Sequence, residues 1–80
     1  MELLRIKVNN VLCDVLATWH DDGTNKDFIF YTDNQYIDNK LNIYYGLYMI
    51  QDGVIKVSEI VNNEDEELAL RVMKEIINFK

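Results

Sequence analysis

Cysteine, histidine, glycine and proline are all scarce in this sequence of 80 residues. It contains one cysteine, one histidine, three glycines and no proline. A single cysteine excludes a disulfide framework, and one Cys with one His cannot supply the ligands of a zinc site. Three widely spaced glycines provide no glycine-rich phosphate loop, and proline-rich linkers are absent. We therefore expect one domain, residues 1–80, that is stabilised by an apolar core and has no metal or cofactor.

Basic residues are also few. Eight Lys and Arg face fourteen Asp and Glu, which gives a net charge of −6. Nucleic-acid binding relies on Lys and Arg that neutralise phosphates, so direct nucleic-acid binding is not expected, and neither is docking on an anionic membrane. No stretch approaches the ~18 apolar residues of a membrane span. The charges of Glu2, Arg5 and Lys7 leave no uninterrupted apolar signal segment. These features predict a cytoplasmic protein.

Two segments at the start of the chain alternate between apolar and polar residues, which predicts strands over about 3–8 and 11–20. Asn9-Asn10 between them favours a two-residue hairpin turn. That turn sets Arg5 opposite Asp14 and puts three apolar pairs on one buried face: Val8 with Val11, Ile6 with Cys13, and Leu4 with Val15. The odd positions of the second strand are all apolar and predict a continuous core face: Val11, Cys13, Val15, Ala17 and Trp19.

Three more strands are predicted over about 27–33, 41–51 and 54–60, with a loop over 34–40. An antiparallel return after the turn at 21–26 sets Phe28 near Trp19 and Phe30 near Ala17, on the same core face. Asp52-Gly53 is a strong hairpin signal that sets Ile55 and Val57 opposite Ile50 and Tyr48. Strand 41–51 carries large side chains on both sides. The sequence therefore does not decide which side is buried, or whether both are.

The last segment predicts an amphipathic helix over about 64–79, with Asn63 as its N-cap and Glu66 at the third helical position. The acidic run 64–67 suits the positive end of the helix, and Arg71, Lys74 and Lys80 come later. The apolar stripe contains Leu68 or Ala69, Val72, Met73, Ile76 and Phe79, widened by Leu70 and Ile77. The expected fold class is α+β, an antiparallel meander of four to five strands covered on one face by the C-terminal helix.

No catalytic constellation is evident. Cys13 and His20 are seven residues apart at opposite parity, so they cannot meet within one strand, and a nucleophile needs an adjacent base. Asp21-Asp22 is interpreted as part of the turn that ends the second strand. The acidic residues of 64–67 are interpreted as complements of the helix dipole. Neither Asp-rich stretch, at 21–23 or 33–39, has the glycine spacing of a calcium loop. The sequence therefore predicts a protein without enzymatic activity.

Five tyrosines fall between residues 31 and 48. Strand aromatics can stack on nucleic-acid bases, but the basic surround of such platforms is missing. Core packing explains most of these rings, and any exposed ones suit contact with another protein, since Tyr is enriched at interface hot spots. The predicted partner surface comprises Tyr44, Tyr48, Asp33 and Asn34.

Three functional hypotheses follow. The first is a non-enzymatic module that binds or regulates another protein, with homo-oligomerisation through a sheet edge as a further option. The second is a small-ligand or enzymatic role in a pocket between sheet and helix, lined by Asp33, Asn34 and Tyr48. The third is mimicry of nucleic acid by the acidic surface.

Four stretches of the sequence resemble the YrzB-like family, small acidic proteins with a domain of unknown function that are common in low-GC Gram-positive bacteria (Firmicutes). They are CDVLATW at 13–19, FIFYTDN at 28–34, IYYGLY at 43–48 and NEDEEL at 63–68. The chain departs from the family at 57–60, where members often carry a proline, and in the loop after Asn34, which looks shorter. The resemblance implies a Gram-positive or mollicute cytosolic origin and carries no activity with it.

Overall fold

The computed structural model describes residues 4–78, and their side chains through residue 75. Within residues 4–78, seven strands precede one helix. The strands are β1 Arg5–Val8, β2 Val11–Asp21, β3 Lys26–Thr32, β4 Tyr36–Ile37, β5 Lys40–Leu41, β6 Tyr44–Gln51 and β7 Val54–Ser58, and the helix is α1 Asn63–Asn78. The expected α+β fold class is confirmed.

Five strands form one antiparallel sheet in the order β1-β2-β3-β6-β7. The sheet curls strongly, because side chains from both edge strands pack against the same apolar cluster. We call this the inner cluster; its buried members are Ile6, Cys13, Val15, Ile29 and Tyr31, with Val8, Tyr48, Ile55 and Val57 packed against them. The result is a nearly closed, barrel-like meander with β1 and β7 at its edges.

The opposite face of the sheet is covered by the helix. We call its apolar contacts the helix-side cluster; its buried members are Phe28, Phe30 and Ala69, and its partly buried members include Trp19, Tyr45, Leu47, Leu68, Val72 and Met73. Phe28 and Phe30 are fully buried, and each contributes about 1.5–3 kcal/mol relative to an exposed ring. The predicted covering helix is therefore confirmed.

The first hairpin has the predicted register. Val8 pairs with Val11, Ile6 with Cys13, and Arg5 with Asp14. Asn9 and Asn10 adopt positive φ values of 51° and 66°, which asparagine tolerates. The prediction that all six apolar residues of this hairpin are buried is wrong at its ends, where Leu4 is 57% and Val11 49% exposed. Leu4 precedes β1, and β3 covers β2 only from the Asp14–Thr32 pair onward.

A β-bulge in β2 overturns the prediction of one continuous core face. The partners Trp19–Phe28 and Ala17–Phe30 are as predicted, but the register shifts between Val15 and Ala17, which leaves Leu16 as the extra residue. Cys13 and Val15 therefore contribute to the inner cluster, whereas Ala17 and Trp19 join the helix-side cluster. Both faces of β3 are buried as a consequence.

The middle of the chain differs from the prediction at 34–51. Residues 36–41 do not form a plain loop, because β4 and β5 pair as a separate two-stranded ribbon around Asp38 and Asn39. These two residues have φ values of 53° and 65°. The long strand begins at Tyr44 rather than at 41. The Asp52-Gly53 hairpin is confirmed, with Tyr48 opposite Val57.

The two faces of β6 are buried to different extents along the strand. Tyr45 and Leu47 pack in the helix-side cluster, and Tyr48 packs against the inner cluster. Farther along, Met49 and Ile50 are 62% and 68% exposed. Both faces are thus covered where β6 lies against β3, and neither is covered at the far end.

The N-cap of α1 is Asn62, one residue earlier than predicted. Its side-chain oxygen accepts the Glu64 N–H at 2.8 Å, and its carbonyl accepts the Glu66 N–H at 3.0 Å. The third helical position is therefore Asp65 rather than Glu66. Arg71 lies in mid-helix, as does Lys74, and the last helical turn has no basic residue. Of the predicted stripe, the side chains of 76, 77 and 79 lie outside the described residues, as does the basic residue at 80.

Candidate functional site

Tyr44, at the start of β6, is the best positioned of the predicted partner residues. Its Oη donates a hydrogen bond to Asp33 Oδ2 at 3.0 Å. Its ring stacks on that of Tyr31 across the β3–β6 pair, with centroids 5.6 Å apart and planes at 28°. Tyr44 is nevertheless 42% exposed. The ring is therefore held in place and still available for contact.

The turn after β3 holds Asp33 in position. Asp33 Oδ1 accepts the N–H of Gln35 at 3.0 Å, an Asx turn. The hydroxyl of Thr32, which is buried, accepts the N–H of Asn34 at 3.1 Å. Asn34 itself takes a φ of 64°. The Asp33 carboxylate is thus fixed by the backbone on one oxygen and by Tyr44 on the other.

Asn34 links this turn to β2. Its Nδ2 donates to Asp14 Oδ2 at 2.9 Å, and the other oxygen of Asp14 accepts from Arg5 Nε at 3.2 Å. The predicted cross-strand pair of Arg5 and Asp14 is therefore present. The carboxylate of Asp14 is already committed to two donors of the chain itself.

Asp33 and Tyr44 line a concavity of about 240 Å³ at one end of the inner cluster. We call it the mouth. Its lining residues are Val8, Asn9, Val11, Cys13, Tyr31, Asp33 and Tyr44. The walls are apolar and aromatic, and Asp33 is the only residue of this lining with a charge at neutral pH.

The surroundings keep the other titratable groups of the mouth neutral. Burial raises the pKa of the Cys13 thiol, and the nearby carboxylates of Asp33 and Asp14 raise it further. Burial likewise raises the pKa of Tyr31. The hydrogen bond to Asp33 raises the pKa of Tyr44, because the phenol can donate only while it is protonated.

Tyr48 lies apart from the other three predicted residues. It is four positions beyond Tyr44 on β6, about 13 Å along the strand. It packs against the inner cluster and lines a second hollow of about 390 Å³. That hollow is lined by Asn25, Lys26, Asp27, Leu47, Tyr48, Met49, Lys56, Val57 and Ser58. The structure thus brings Tyr44 and Asp33 together beside Asn34, and puts Tyr48 elsewhere.

The possible catalytic groups of β2 have other partners. Cys13 is buried and its Sγ lies 3.6 Å from the Val11 carbonyl oxygen. His20 is exposed, and its Nδ1 lies 2.7 Å from Asp27 Oδ1. The Asp27 hydrogen bond raises the pKa of His20.

The acidic residues near the turn and the helix have structural roles. Asp21 Oδ2 accepts from both the N–H and the hydroxyl of Thr24, and these bonds lower its pKa. Asp65 is 3% exposed and accepts from Lys26 Nζ at 2.5 Å. Glu66 accepts from Tyr45 Oη at 3.2 Å. Asp21 thus stabilises its own turn, whereas Asp65 and Glu66 tie the helix to the sheet.

Searches against family models, curated proteins and solved structures return no significant match for this chain.

The described part of the chain has neither a metal-binding cluster nor a membrane-spanning helix. No group of three or more His, Cys, Asp or Glu side chains among these residues is arranged to hold a metal ion. Within residues 4–78, no helix has the length and apolar character needed to cross a membrane.

Five residues of the mouth were not predicted as site residues: Val8, Asn9, Val11, Cys13 and Tyr31. The hairpin register already grouped Val8 with Val11 and put Cys13 nearby. What the sequence lacks is any signal that the end of this hairpin lies against the start of β6. That proximity depends on the β2–β3–β6 pairing and on the curl of the whole sheet.

Proposed function

We propose that this domain is a non-enzymatic cytoplasmic module that binds another protein, and that the mouth is its contact surface. The observation that carries the proposal is the Tyr44–Asp33 pair, a tyrosine that is 42% exposed and yet fixed by a hydrogen bond and a stacked ring. A side chain that is already ordered loses little conformational entropy on binding. Tyrosines of this kind are enriched among the residues that dominate binding energy.

An apolar neighbour extends the proposed surface. Val11, in the lining of the mouth, is 49% exposed. An interface core needs such apolar area around its anchor residues. The Tyr44 ring, the Val11 side chain and the Asp33 carboxylate together offer an apolar centre with one charged group at its side.

A role without catalysis agrees with the raised pKa and the packing of Cys13, the one cysteine of the sequence. A nucleophilic cysteine needs a lowered pKa and an adjacent base. Cys13 has a raised pKa and its sulfur faces the Val11 carbonyl, while His20 is bonded to Asp27. These features favour a packing role for Cys13 and a strand-pairing role for His20.

The second candidate is a small-ligand site. The predicted lining of Asp33, Asn34 and Tyr48 in a pocket between sheet and helix is not brought together, because Asp33 lines the mouth and Tyr48 lines the second hollow. The feature that favours a small ligand is instead the mouth, at one end of the inner cluster. A carboxylate and two phenols converge on a concave apolar surface, as in many ligand pockets. Its volume of about 240 Å³ falls below the roughly 300–1,000 Å³ of typical small-molecule sites. The size therefore favours a protruding side chain of a protein over a free metabolite.

Membership of the YrzB-like family remains a proposal that rests on the four sequence stretches. The family brings no activity that could be carried over. The net charge of −6 favours a protein partner over nucleic acid. Pairing of two copies through β1 or β7, the edges of the sheet, is the other mode of association that we propose to test.

Affinity capture with matched variants tests the proposed surface. The double variant Asp33→Asn/Tyr44→Ala should lose a stoichiometric partner that the wild-type chain captures from its native lysate. The control variant Asp38→Asn/Tyr36→Ala makes the same chemical changes at exposed residues outside the mouth, and it should capture the partner normally. Circular dichroism confirms that both variants are folded. Equal capture by the two variants contradicts the proposal, and so does the absence of any stoichiometric partner.

A further inference from the structure

The charge of the mouth indicates what kind of group it would accept. Among the described residues that line it, Asp33 is the only one with a charge at neutral pH, and none is a Lys or Arg. Arg5 is ion-paired with Asp14, a different carboxylate. Among the side chains that the structure describes, no ion pair therefore balances the negative charge of Asp33, in a chain whose net charge is already −6.

The Asp33 carboxylate has unused acceptor capacity. Oδ1 accepts one hydrogen bond from Gln35 and Oδ2 accepts one from Tyr44. Each carboxylate oxygen can accept about two hydrogen bonds. By this count, each oxygen has one acceptor position without a donor among the described residues, and a donor with two parallel N–H groups would supply both.

The aromatic side of the mouth suits a flat cation. Tyr31 stacks on one face of Tyr44, and Tyr44 is still 42% exposed. A cation over a tyrosine face is attracted by the ring quadrupole. Val8 and Val11 provide apolar surface beside the rings, along which the aliphatic stem of a long basic side chain can lie.

We infer that the mouth is a recognition site for an arginine side chain of the partner protein, with its guanidinium on Asp33 and over the Tyr44 ring. The inference rests on the proposed function. Arginine fits better than lysine, because its planar fork matches a carboxylate and it stacks on aromatic rings, whereas the lysine ammonium is a strongly hydrated point charge. The second hollow is lined by Lys26 and Lys56 together with Asp27, so it lacks the negative charge of the mouth and serves as an internal reference.

Nuclear magnetic resonance with defined peptides tests this inference. The ¹⁵N-labelled protein is titrated with the peptide acetyl-Gly-Gly-Arg-Gly-Gly-amide and with its counterparts that contain lysine or citrulline in place of arginine. Citrulline keeps the shape of arginine and lacks its charge. The arginine peptide should shift the amides of the mouth in a saturable way, including those of Asn9, Cys13, Asp33 and Tyr44, and should leave the amide of Lys56 unchanged.

The expected order of affinity is arginine, then lysine, then citrulline, with the citrulline peptide about tenfold weaker than the arginine peptide. Asp33→Asn should weaken arginine binding by a similar factor, because the amide keeps an acceptor oxygen and loses the charge. The matched change Asp38→Asn, at an exposed residue outside the mouth, should leave it unaltered.

Several results would overturn the inference. These are equal binding of the arginine and citrulline peptides, a preference for lysine, no saturable shift at the highest soluble concentration, or shifts spread over the other acidic residues. Such a failure is distinguishable from failure of the proposed function. If the capture experiment still depends on Asp33 and Tyr44, the mouth binds a protein through some other group; if it does not, the contact surface itself is wrong.

Discussion

Lys26 and Asp65, 39 positions apart in the sequence, form an ion pair that joins the start of β3 to the first turn of α1. The Lys26 Nζ lies 2.5 Å from Asp65 Oδ2, and the Asp65 side chain is only 4% exposed. A buried carboxylate needs a partner, because its desolvation in isolation is costly. This contact therefore fixes where the helix begins to cover the sheet.

Replacing Lys26 by methionine should destabilise the domain by about 2–3 kcal/mol, because it leaves the Asp65 carboxylate buried without its cation. This is below the roughly 3–5 kcal/mol of a fully buried pair, since the Lys26 side chain is 37% exposed. Urea unfolding measures the change. In the Asp65→Asn background the same replacement should cost clearly less, since no stranded charge remains. An equal cost in both backgrounds would mean that Lys26 acts through packing alone. Lys40→Met, at an exposed lysine of β5, is the control and should be nearly neutral.

Deleting Leu16 should remove the β2 bulge and leave the domain folded. Leu16 is the extra residue of that bulge. Without it β2 alternates regularly, so Cys13 and Val15 still face the inner cluster, and Ala17 and Trp19 still face the helix-side cluster. Leu16→Ala keeps the residue count and should also fold. Loss of the cooperative thermal transition, measured by circular dichroism, in the deletion variant but not in Leu16→Ala would refute the assignment of the bulge.

Gly46→Ala should destabilise the domain by about 1–3 kcal/mol. A Cβ at Gly46 would lie 2.8 Å from the Ser58 carbonyl oxygen and 3.0 Å from Val57 Cγ1. The absence of a side chain lets β7 approach β6 closely and so permits the curl of the sheet. Gly23→Ala is the control, since its nearest neighbour would be a flexible Asp21 oxygen at 3.6 Å. Similar unfolding free energies for the two variants would contradict this explanation.

His20 should titrate above its ordinary pKa of 6.5. The Asp27 carboxylate, 2.7 Å from Nδ1, stabilises the imidazolium. This contact therefore stabilises the folded state fully below about pH 6.5, and its contribution disappears as the pH rises through the raised pKa. Because the chain has one histidine, an NMR titration reads it directly. Asp27→Asn should move the pKa back toward 6.5; no movement would show that Asp27 is not the cause.

Short-range features of the fold could be predicted from the sequence. The Asn9-Asn10 and Asp52-Gly53 turns determine the registers of their hairpins, because only a few residue types accept positive φ at both turn positions. The charge pair of Arg5 and Asp14 followed from the first register. The apolar stripe of the helix likewise predicted that the helix covers one face of the sheet.

Features that depend on distant parts of the chain could not be predicted. Nothing near Leu16 marks it as a bulge, because an unbroken run of apolar odd positions suits a regular strand equally well. Asn62 and Asn63 are both residue types that favour the N-cap, so local sequence does not choose between them; the structure has Asn62 as the cap and Asp65 in contact with the distant Lys26.

The candidate site likewise has a part that could be predicted from the sequence and a part that could not. The tyrosine-rich middle and Asp33 could be selected by composition. Their grouping could not, since the segment between β3 and β6 is not a tight turn and leaves the Tyr31–Tyr44 register unspecified. Tyr48 belongs to the same tyrosine-rich segment, but it packs against the inner cluster rather than lining the mouth.

Photo-cross-linking at single positions tests the central claim, contact through the mouth, most directly. The photoreactive residue p-benzoylphenylalanine replaces either Tyr44 in the mouth or Tyr36, which is 68% exposed in the separate ribbon. We expect irradiation in the native lysate to give one discrete adduct with another protein from position 44 and none from position 36. An adduct from position 36 alone, or the same adduct from both positions, would contradict the assignment of the mouth as the contact surface.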